Sequence, residues 1–224
     1  MKNIIIFMIA IVYSLAAYSN SDAQEPMYVP PGITYQSIDD MQVPLFFKNM
    51  AKHQRRQMED QGYIDANNDE VVDMESYSMN GRTGRDLHQM VDIESKLAII
   101  PADLSNTPFA KAVFIGALYA GGLTDGGWSG IERVFRFPKL GLVRLDESDY
   151  VIAGGGAVIA TEAVNDKVNG AAAVFVVKQT RNKRVVTELM WFGDTKIYTL
   201  TTANKMVRED ALHKRLISLA ESIR

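Results

Sequence analysis

The stretch that decides the fold of this chain is residues 170–224, GAAAVFVVKQTRNKRVVTELMWFGDTKIYTLTTANKMVREDALHKRLISLAESIR. Apolar runs at 171–179 and 184–192 are separated by a short polar turn, and a third run at 196–202 follows a turn that contains Gly193. Turns this short join antiparallel strands, because parallel neighbours need a crossover of about a dozen residues or more. The stretch therefore predicts three consecutive strands of an antiparallel sheet.

The chain closes with an amphipathic helix, predicted over residues 205–223. Its large apolar side chains recur at helical spacing and form one stripe, made of Leu212, Leu216, Leu219 and Ile223. We expect this stripe to lie across the sheet and to be required for folding. His213 lies near the polar border of the stripe, which predicts a surface histidine.

Strand patterns extend upstream, so that residues 129–202 are predicted to be mainly β. Apolar and polar residues alternate at 131–137, and further apolar runs occur at 140–145 and 149–160. The whole pattern predicts an α+β fold, a curved antiparallel sheet of about five to seven strands with the C-terminal helix and N-terminal helices packed on it. The adjacent acids Asp146-Glu147 are interpreted as loop carboxylates that face water.

Residues 44–224 are predicted to form this single domain, with a helical region over 44–120. Pro44 and Gly62 are placed to begin and end a first helix. Its polar face is basic and is interpreted as a solvated surface, with a partner or membrane-surface site as the alternative. The apolar run at 109–120 is compatible with a helix and with a strand, and the sequence leaves the two open.

The first residues have the pattern of a secretory leader. Met1-Lys2 is followed by an apolar run at 4–17 and by a small-x-small exit, Ser21-Asp22-Ala23. The apolar run is shorter than the roughly 20 residues of a membrane-spanning helix. Residues 1–23 are therefore predicted to be a signal peptide cleaved after Ala23, with a second cleavage site at Ala17-Tyr18-Ser19 and an uncleaved anchor as alternatives. The sequence thus predicts export, to the periplasm rather than to the outside of the cell.

Composition narrows the choice of partners. The net charge of -3 gives no concentrated basic surface of the kind that nucleic-acid binders carry. The chain has no cysteine, so its leader lacks the lipid-anchoring residue of bacterial lipoproteins and the exported part has no disulfide framework. No second long apolar run follows, so no membrane span is predicted after leader removal.

Residues 24–43 are rich in proline and are predicted to be an extended lead-in.

An acidic stretch at residues 65–76, DANNDEVVDMES, resembles the calcium loop of EF-hand and dockerin-type proteins. Ligands at loop positions one, three, five and nine would be Asp65, Asn67, Asp69 and Asp73. Glu70 stands where such loops need glycine, and Ser76 stands where they use a bidentate glutamate. The sequence leaves open a calcium site and an ordinary acidic turn, and it predicts no other cofactor.

The segments ELMWFGDTKIYTL at 188–200 and LAESI at 219–223 are similar to the close of small extracytoplasmic domains in bacterial anti-sigma-type and lipoprotein-carrier-like proteins. Those domains end in a strand with a tryptophan, here Trp191, then a turn, a strand with Tyr-x-Leu and a packing helix. PsbP-like sandwiches have a similar ending and are the alternative resemblance. Both resemblances imply a curved antiparallel sheet used for binding or scaffolding, and neither carries catalytic residues over.

Three functions remain open. The leading one is an exported, non-enzymatic binding or scaffolding protein of the bacterial cell envelope, with an envelope protein or an apolar ligand as its partner. The second is a calcium-dependent structural or adhesion module built on residues 65–76. The third is an uncharacterised hydrolase, which would need His53, His88 or His213 to meet a serine or a carboxylate in one pocket. No motif in the sequence indicates which serine, histidine and carboxylate would form such a site, which favours a role other than catalysis.

Overall fold

The structure is a computed structural model that describes residues 10–13, 32–77 and 87–223, the first of these as backbone only. The strands, in chain order, are β1 Ala10–Tyr13, β2 Gly32–Gln36, β3 Ile64–Ala66, β4 Val113–Thr124, β5 Gly127–Phe137, β6 Gly141–Asp149, β7 Gly156–Ala160, β8 Asp166–Val168, β9 Ala171–Thr180, β10 Val185–Phe192 and β11 Lys196–Thr202. The helices are α1 Leu45–Gln61, α2 Met90–Ile93 and α3 Ala211–Glu221, with short 3-10 turns at Met74–Tyr77, Glu94–Lys96, Pro108–Lys111 and Thr161–Ala163.

The main sheet has the strand order β3-β9-β10-β11-β6-β5-β4, with β8 sharing the outer edge of β9 with β3. Its pairs are antiparallel except β3 with β9. The three strands predicted from residues 170–224 are β9, β10 and β11, which pair as neighbours across their short turns. The α+β class and the antiparallel sheet are thereby confirmed.

Helix α3 packs on one face of this sheet, as the apolar stripe predicted. Asp210 begins the helix by accepting the His213 N–H at 2.7 Å. Leu216 and Leu219 are buried in a core that also contains Phe175 and Leu189 of the central strands. Side chains at alternate positions of a strand point to opposite faces, so the same strands supply a second apolar layer on the other face.

The predicted helical region over 44–120 is wrong beyond α1. The segment left open between helix and strand is the strand β4, and the described residues between α1 and β4 contain the strand β3 and helices of only three or four residues. β4 pairs with β5 along nearly its whole length, and Ala117 is completely buried. The ambiguous apolar run is therefore a strand. Tertiary pairing has overridden the local helix propensity of its alanine and leucine residues.

Helix α1 is a surface element. It ends at Gly62, whose φ of 73° is the left-handed conformation that the sequence predicted for a glycine cap. None of its residues is fully buried, and Leu45 and Phe46 at its start are about two-thirds exposed, at 70% and 68%. The helix therefore covers the sheet only at its margin.

A second, three-stranded sheet has β7 at its centre. β2 pairs with β7 in parallel and β1 pairs with it antiparallel. β1 lies inside the predicted leader, residues 1–23, the rest of which falls outside the described residues. β2 lies inside the predicted lead-in, residues 24–43, of which 24–31 also fall outside them.

Candidate functional site

A group of charged side chains lies on the face of the main sheet that α3 covers. Glu147 of β6 is fully buried, with 0% of its surface exposed. Its carboxylate lies 2.9 Å from Arg133 Nη2 and 2.8 Å from Lys196 Nζ. It also accepts the Ala102 N–H, at 2.9 and 3.0 Å from its two oxygens. Four contacts from three residues therefore balance one buried charge.

The same group also binds the backbone of residues 100–102. Arg133 Nη1 donates to the Ala102 carbonyl at 3.0 Å, and Lys196 Nζ donates to the Ile100 carbonyl at 2.5 Å. Burial and the Glu147 charge raise the pKa of the neighbouring Tyr198 to about 12. Apart from the buried Arg133 Nε, which has no hydrogen-bond partner among the described residues, these donors and acceptors are engaged with one another, so the arrangement positions a loop and is structural.

The interpretation of Asp146-Glu147 as water-facing loop acids is wrong. Both residues lie in β6, and neighbours in a strand point to opposite faces of the sheet. Glu147 points to the α3 face, where it is fully buried, and 24% of the Asp146 side chain is exposed on the other face. The pairing of β6 with both β5 and β11 makes it an inner strand.

A second charged group lies on the other face, around Arg144. Its Nε is 2.7 Å from Asp146 Oδ2, and its Nη1 is 3.7 Å from Glu132 Oε2. The Tyr77 hydroxyl donates to Glu132 Oε1 at 2.6 Å. Burial alone would lower the pKa of Arg144, but the carboxylates of Asp146 and Glu132 raise it. Burial raises the pKa of the Tyr77 hydroxyl.

Asp146 is the group here whose protonation falls in an accessible pH range. Burial raises the pKa of its carboxyl from 3.8 to about 7, against the opposing effect of Arg144 and with a further contribution from Glu132. Glu132 shares the Arg144 charge with Asp146, and its carboxylate disfavours the ionised form of Asp146. A perturbed carboxyl is typical of functional sites but also of structural ion-pair networks. The position of this one among paired strands favours the structural interpretation.

We expect Asp146 to lower stability as the pH rises from about 4 to about 7. In that range the folded carboxyl keeps a proton that the unfolded chain has lost, so the free energy of unfolding falls with pH. One proton sets a limit of about 1.4 kcal/mol per pH unit. Because a quarter of the side chain is exposed, we expect a smaller slope. Urea unfolding at several pH values measures it.

The matched variants for this test are Asp146→Asn and Asp125→Asn. The first removes the carboxyl that titrates, and the second removes an exposed one from the β4–β5 turn. We expect only Asp146→Asn to flatten the pH dependence. An unchanged slope in Asp146→Asn would show that another group carries it.

His213 is buried, and the prediction of a surface histidine is wrong. It is 5% exposed and lies edge-on to the Phe175 ring at 4.6 Å. Its Nδ1 accepts the Glu209 N–H at 3.0 Å, so its Nε2 is the nitrogen that carries the proton and donates to Asp166 Oδ2 at 2.7 Å. Both ring nitrogens are therefore engaged, which leaves neither of them to take a proton from a nucleophile.

The residues of the predicted calcium loop have partners of other kinds. Asp65 Oδ2 accepts a hydrogen bond from Gln57 of α1 at 2.7 Å, and Asp73 Oδ1 accepts the Glu75 N–H at 3.1 Å. The Asn67 N–H donates to the Glu70 carboxylate at 2.6 Å. Asp69 lies in the exposed turn that follows β3. Within 32–77 and 87–223, no three histidine, aspartate or glutamate side chains are grouped as a metal site would need. Calcium binding stays a prediction.

A small cleft lies between α1 and the end of β7. Its volume is about 130 Å³, and Ile38, Ala51 and Ala160 form its apolar wall. The cations at its rim are paired, Lys52 with Asp39 at 2.5 Å and Arg55 with a neighbour on its own helix. Pockets for drug-sized ligands measure about 300–1,000 Å³. The cleft is too small for a ligand of that size.

The strongest candidate for a binding surface is the three-stranded sheet. Its central strand β7 has apolar side chains, with Ala157, Ile159 and Ala160 fully buried. Exposed apolar side chains flank it: Tyr35 of β2 pairs directly with Ile159 and is 43% exposed. Val151 and Ile152, in the turn before β7, are 43% and 41% exposed. We call β7 with these flanking residues the β7 surface.

These sites could be predicted only in part from the sequence. Charged residues inside apolar strands, such as Glu132 and Arg144, indicate either a wet face or a buried ion network, and periodicity alone does not separate the two. The partners of β7 come from β1 and β2, which are far from it in the chain, and no local pattern encodes such pairing.

Comparison of the chain with protein-family models, with curated proteins and with solved structures gave no match. The resemblance of residues 188–200 and 219–223 to extracytoplasmic domains stays a prediction. In the described part of the chain, the helices are too short or too polar to cross a membrane.

Proposed function

We propose that the chain is an exported binding or scaffolding protein of the bacterial cell envelope, and that the β7 surface binds an extended segment of another polypeptide. The observation that carries the proposal is the origin of β1. This strand completes the sheet beside β7, and it lies within the predicted leader. Cleavage after Ala23 would remove β1 and leave one edge of β7 open.

An open strand edge is a specific kind of binding site. It presents a row of unpaired N–H and C=O groups that an added strand can satisfy. β1 pairs with β7 at four positions, from Ala10 with Ile159 to Tyr13 with Gly156. Loss of β1 removes those hydrogen bonds and opens their β7 groups to water, and a typical intramolecular hydrogen bond contributes a net of about 0.5–1.5 kcal/mol. A strand that replaced β1 would recover that free energy.

The surroundings of β7 support a polypeptide partner over a small molecule. The cleft at the end of β7 is far below the usual size of a ligand pocket. Exposed apolar side chains also surround β7, with Val151 and Ile152 in the turn before it and Tyr35 on the neighbouring strand β2. An extended apolar segment would gain main-chain hydrogen bonds and side-chain burial together.

The test uses the full chain expressed in a bacterium with an active secretory pathway. We expect it in the envelope fraction with Gln24 as its first residue, as measured by N-terminal sequencing. The binding partner in the test is a peptide of residues 8–15 that carries lysines for solubility and a fluorescent label. The processed protein should bind this peptide saturably, as measured by the anisotropy of the label. The control peptide carries Ile11→Pro and Val12→Pro, because proline removes strand hydrogen bonds.

A matched control protein carries Ser19→Arg, Ser21→Arg and Ala23→Arg, which remove the small residue just before each of the two predicted cleavage points and the Ser21 of the main exit. This variant should keep β1 in place and should not bind the peptide. The proposal is overturned if the wild-type chain stays in the cytoplasm with Met1 as its first residue. It is also overturned if the processed protein binds both peptides equally.

A further inference from the structure

We infer that the partner of the β7 surface is a second copy of the same chain. In this arrangement leader removal produces a two-fold symmetric dimer in which the β7 strands of two copies pair antiparallel. The inference rests on the proposed function, because β7 is available only after β1 has been removed. It names the partner that the proposed function leaves open.

The first argument is the chemistry of the strand that occupies the site. β1 is Ala10-Ile11-Val12-Tyr13, and the last four residues of β7 are Ala157-Val158-Ile159-Ala160. Both are short apolar strands rich in β-branched residues. β1 runs antiparallel to β7, which is the orientation that a two-fold axis imposes on two identical strands. A second β7 therefore matches β1 in composition and direction.

The second argument is the register that symmetry requires. A two-fold axis at Val158 places Val158 opposite its own copy, Ala157 opposite Ile159, and Gly156 opposite Ala160. All five residues of β7 are then paired. Ala157 and Ile159 are separated by two positions and lie on one face, and each is fully buried in the monomer. The register therefore keeps the buried face of one copy continuous with the buried face of the other.

The third argument is the space around the site. Among the described residues, no strand lies beyond β1 in the three-stranded sheet. In the dimer the second β7 takes the place of β1 and the second β2 lies one strand farther out. The result is a continuous four-stranded sheet of order β2-β7-β7-β2. In this sheet Tyr35 lies on the outer strand β2, and the contacts at the centre come from the two β7 strands.

Val158 provides the test, because it lies at the axis and its side chain is only half-buried and points away from the face of Ala157 and Ile159. Val158→Lys and Val158→Glu each place two like charges opposite each other at the two-fold axis, which disfavours the dimer. An equimolar mixture of the two variants places opposite charges there. We expect the processed wild-type protein to have about twice the monomer mass by light scattering. Each variant alone should be monomeric, and the mixture should regain the dimer mass.

The full chain with Ile11→Pro and Val12→Pro frees the β7 edge even where no cleavage occurs, and it should also form dimers. An excess of the residues 8–15 peptide should return the processed dimer to the monomer mass. Thermal melting of each variant checks that it is folded. If both Val158 variants fail to fold, the peptide titration and the proline variant still decide the question.

The inference is overturned if the processed wild-type chain and the proline variant stay monomeric throughout a concentration series. It is equally overturned if the processed dimer persists in Val158→Lys alone, because β7 then does not lie at the axis. A monomeric processed chain that binds the peptide would leave the proposed function standing and would point to another protein as the partner. An uncleaved cytoplasmic chain would contradict the proposed function, whatever the mass of the proline variant.

Discussion

Leu216→Asp is expected to abolish the folded state. Leu216 is 0% exposed and lies in the core between α3 and the sheet. Truncation of such a leucine costs about 2–5 kcal/mol, and placing a carboxyl there adds the cost of burying a polar group without a partner. The sum approaches the whole stability of a typical domain, about 5–15 kcal/mol. Circular dichroism during thermal melting should show no cooperative transition.

Ser218→Asp is the matched control for this prediction. It introduces the same side chain two residues along α3, at a position that faces solvent. Because exposed substitutions usually change stability by less than about 0.5 kcal/mol, the control should melt close to the wild type. A normal cooperative transition in Leu216→Asp would contradict the packing of α3 on the sheet.

Glu147→Leu is expected to lower the free energy of unfolding by about 3–5 kcal/mol, since it leaves buried cations without their partner. Arg133 is 5% exposed and contacts Glu147 at 2.9 Å. The substitution also removes the acceptor of the Ala102 N–H. Urea unfolding measures the loss. Proteolysis should further show that the segment around Ala102 has become more easily cut.

The control for Glu147→Leu is a double-mutant cycle with Arg133→Met. In the double variant the charges of Glu147 and Arg133 are both gone, and only Lys196, whose side chain is 19% exposed, has lost its carboxylate. The double variant should therefore lose less stability than the two single variants added together. The difference measures the coupling between the two side chains. Additive losses would mean that Glu147 and Arg133 do not depend on each other.

Sequence patterns predicted β9, β10, β11 and the closing helix correctly, because the residues that define each of these elements lie close together in the chain. The turn at residues 181–184 joins β9 to β10, and the spacing of Leu212, Leu216 and Leu219 defines the buried side of α3. The helix cap at Gly62 could also be predicted from the sequence, since glycine adopts a left-handed conformation at little cost in free energy. Each of these features depends on residues close together in the chain.

The candidate sites were harder to predict because the residues that form each site are far apart in the chain. Glu147 and Asp146 are adjacent in the chain, yet strand alternation places them in different networks on opposite faces. Their partners, such as Arg133 and Arg144, reach them through pairing between strands. His213 meets Asp166 across 47 positions of sequence. No window of local sequence contains both members of such a pair.

The sequence by itself determined the α+β class, the antiparallel order of β9, β10 and β11, and the helix that covers them. Short turns and the periods of two and 3.6 residues leave few alternatives for those elements. Tertiary structure decided that β4 is a strand, that Glu147 is buried, and that β1 completes the sheet beside β7. Each of these outcomes depends on hydrogen bonds and charge pairs between distant segments, whose free energy exists only once the segments have been brought together.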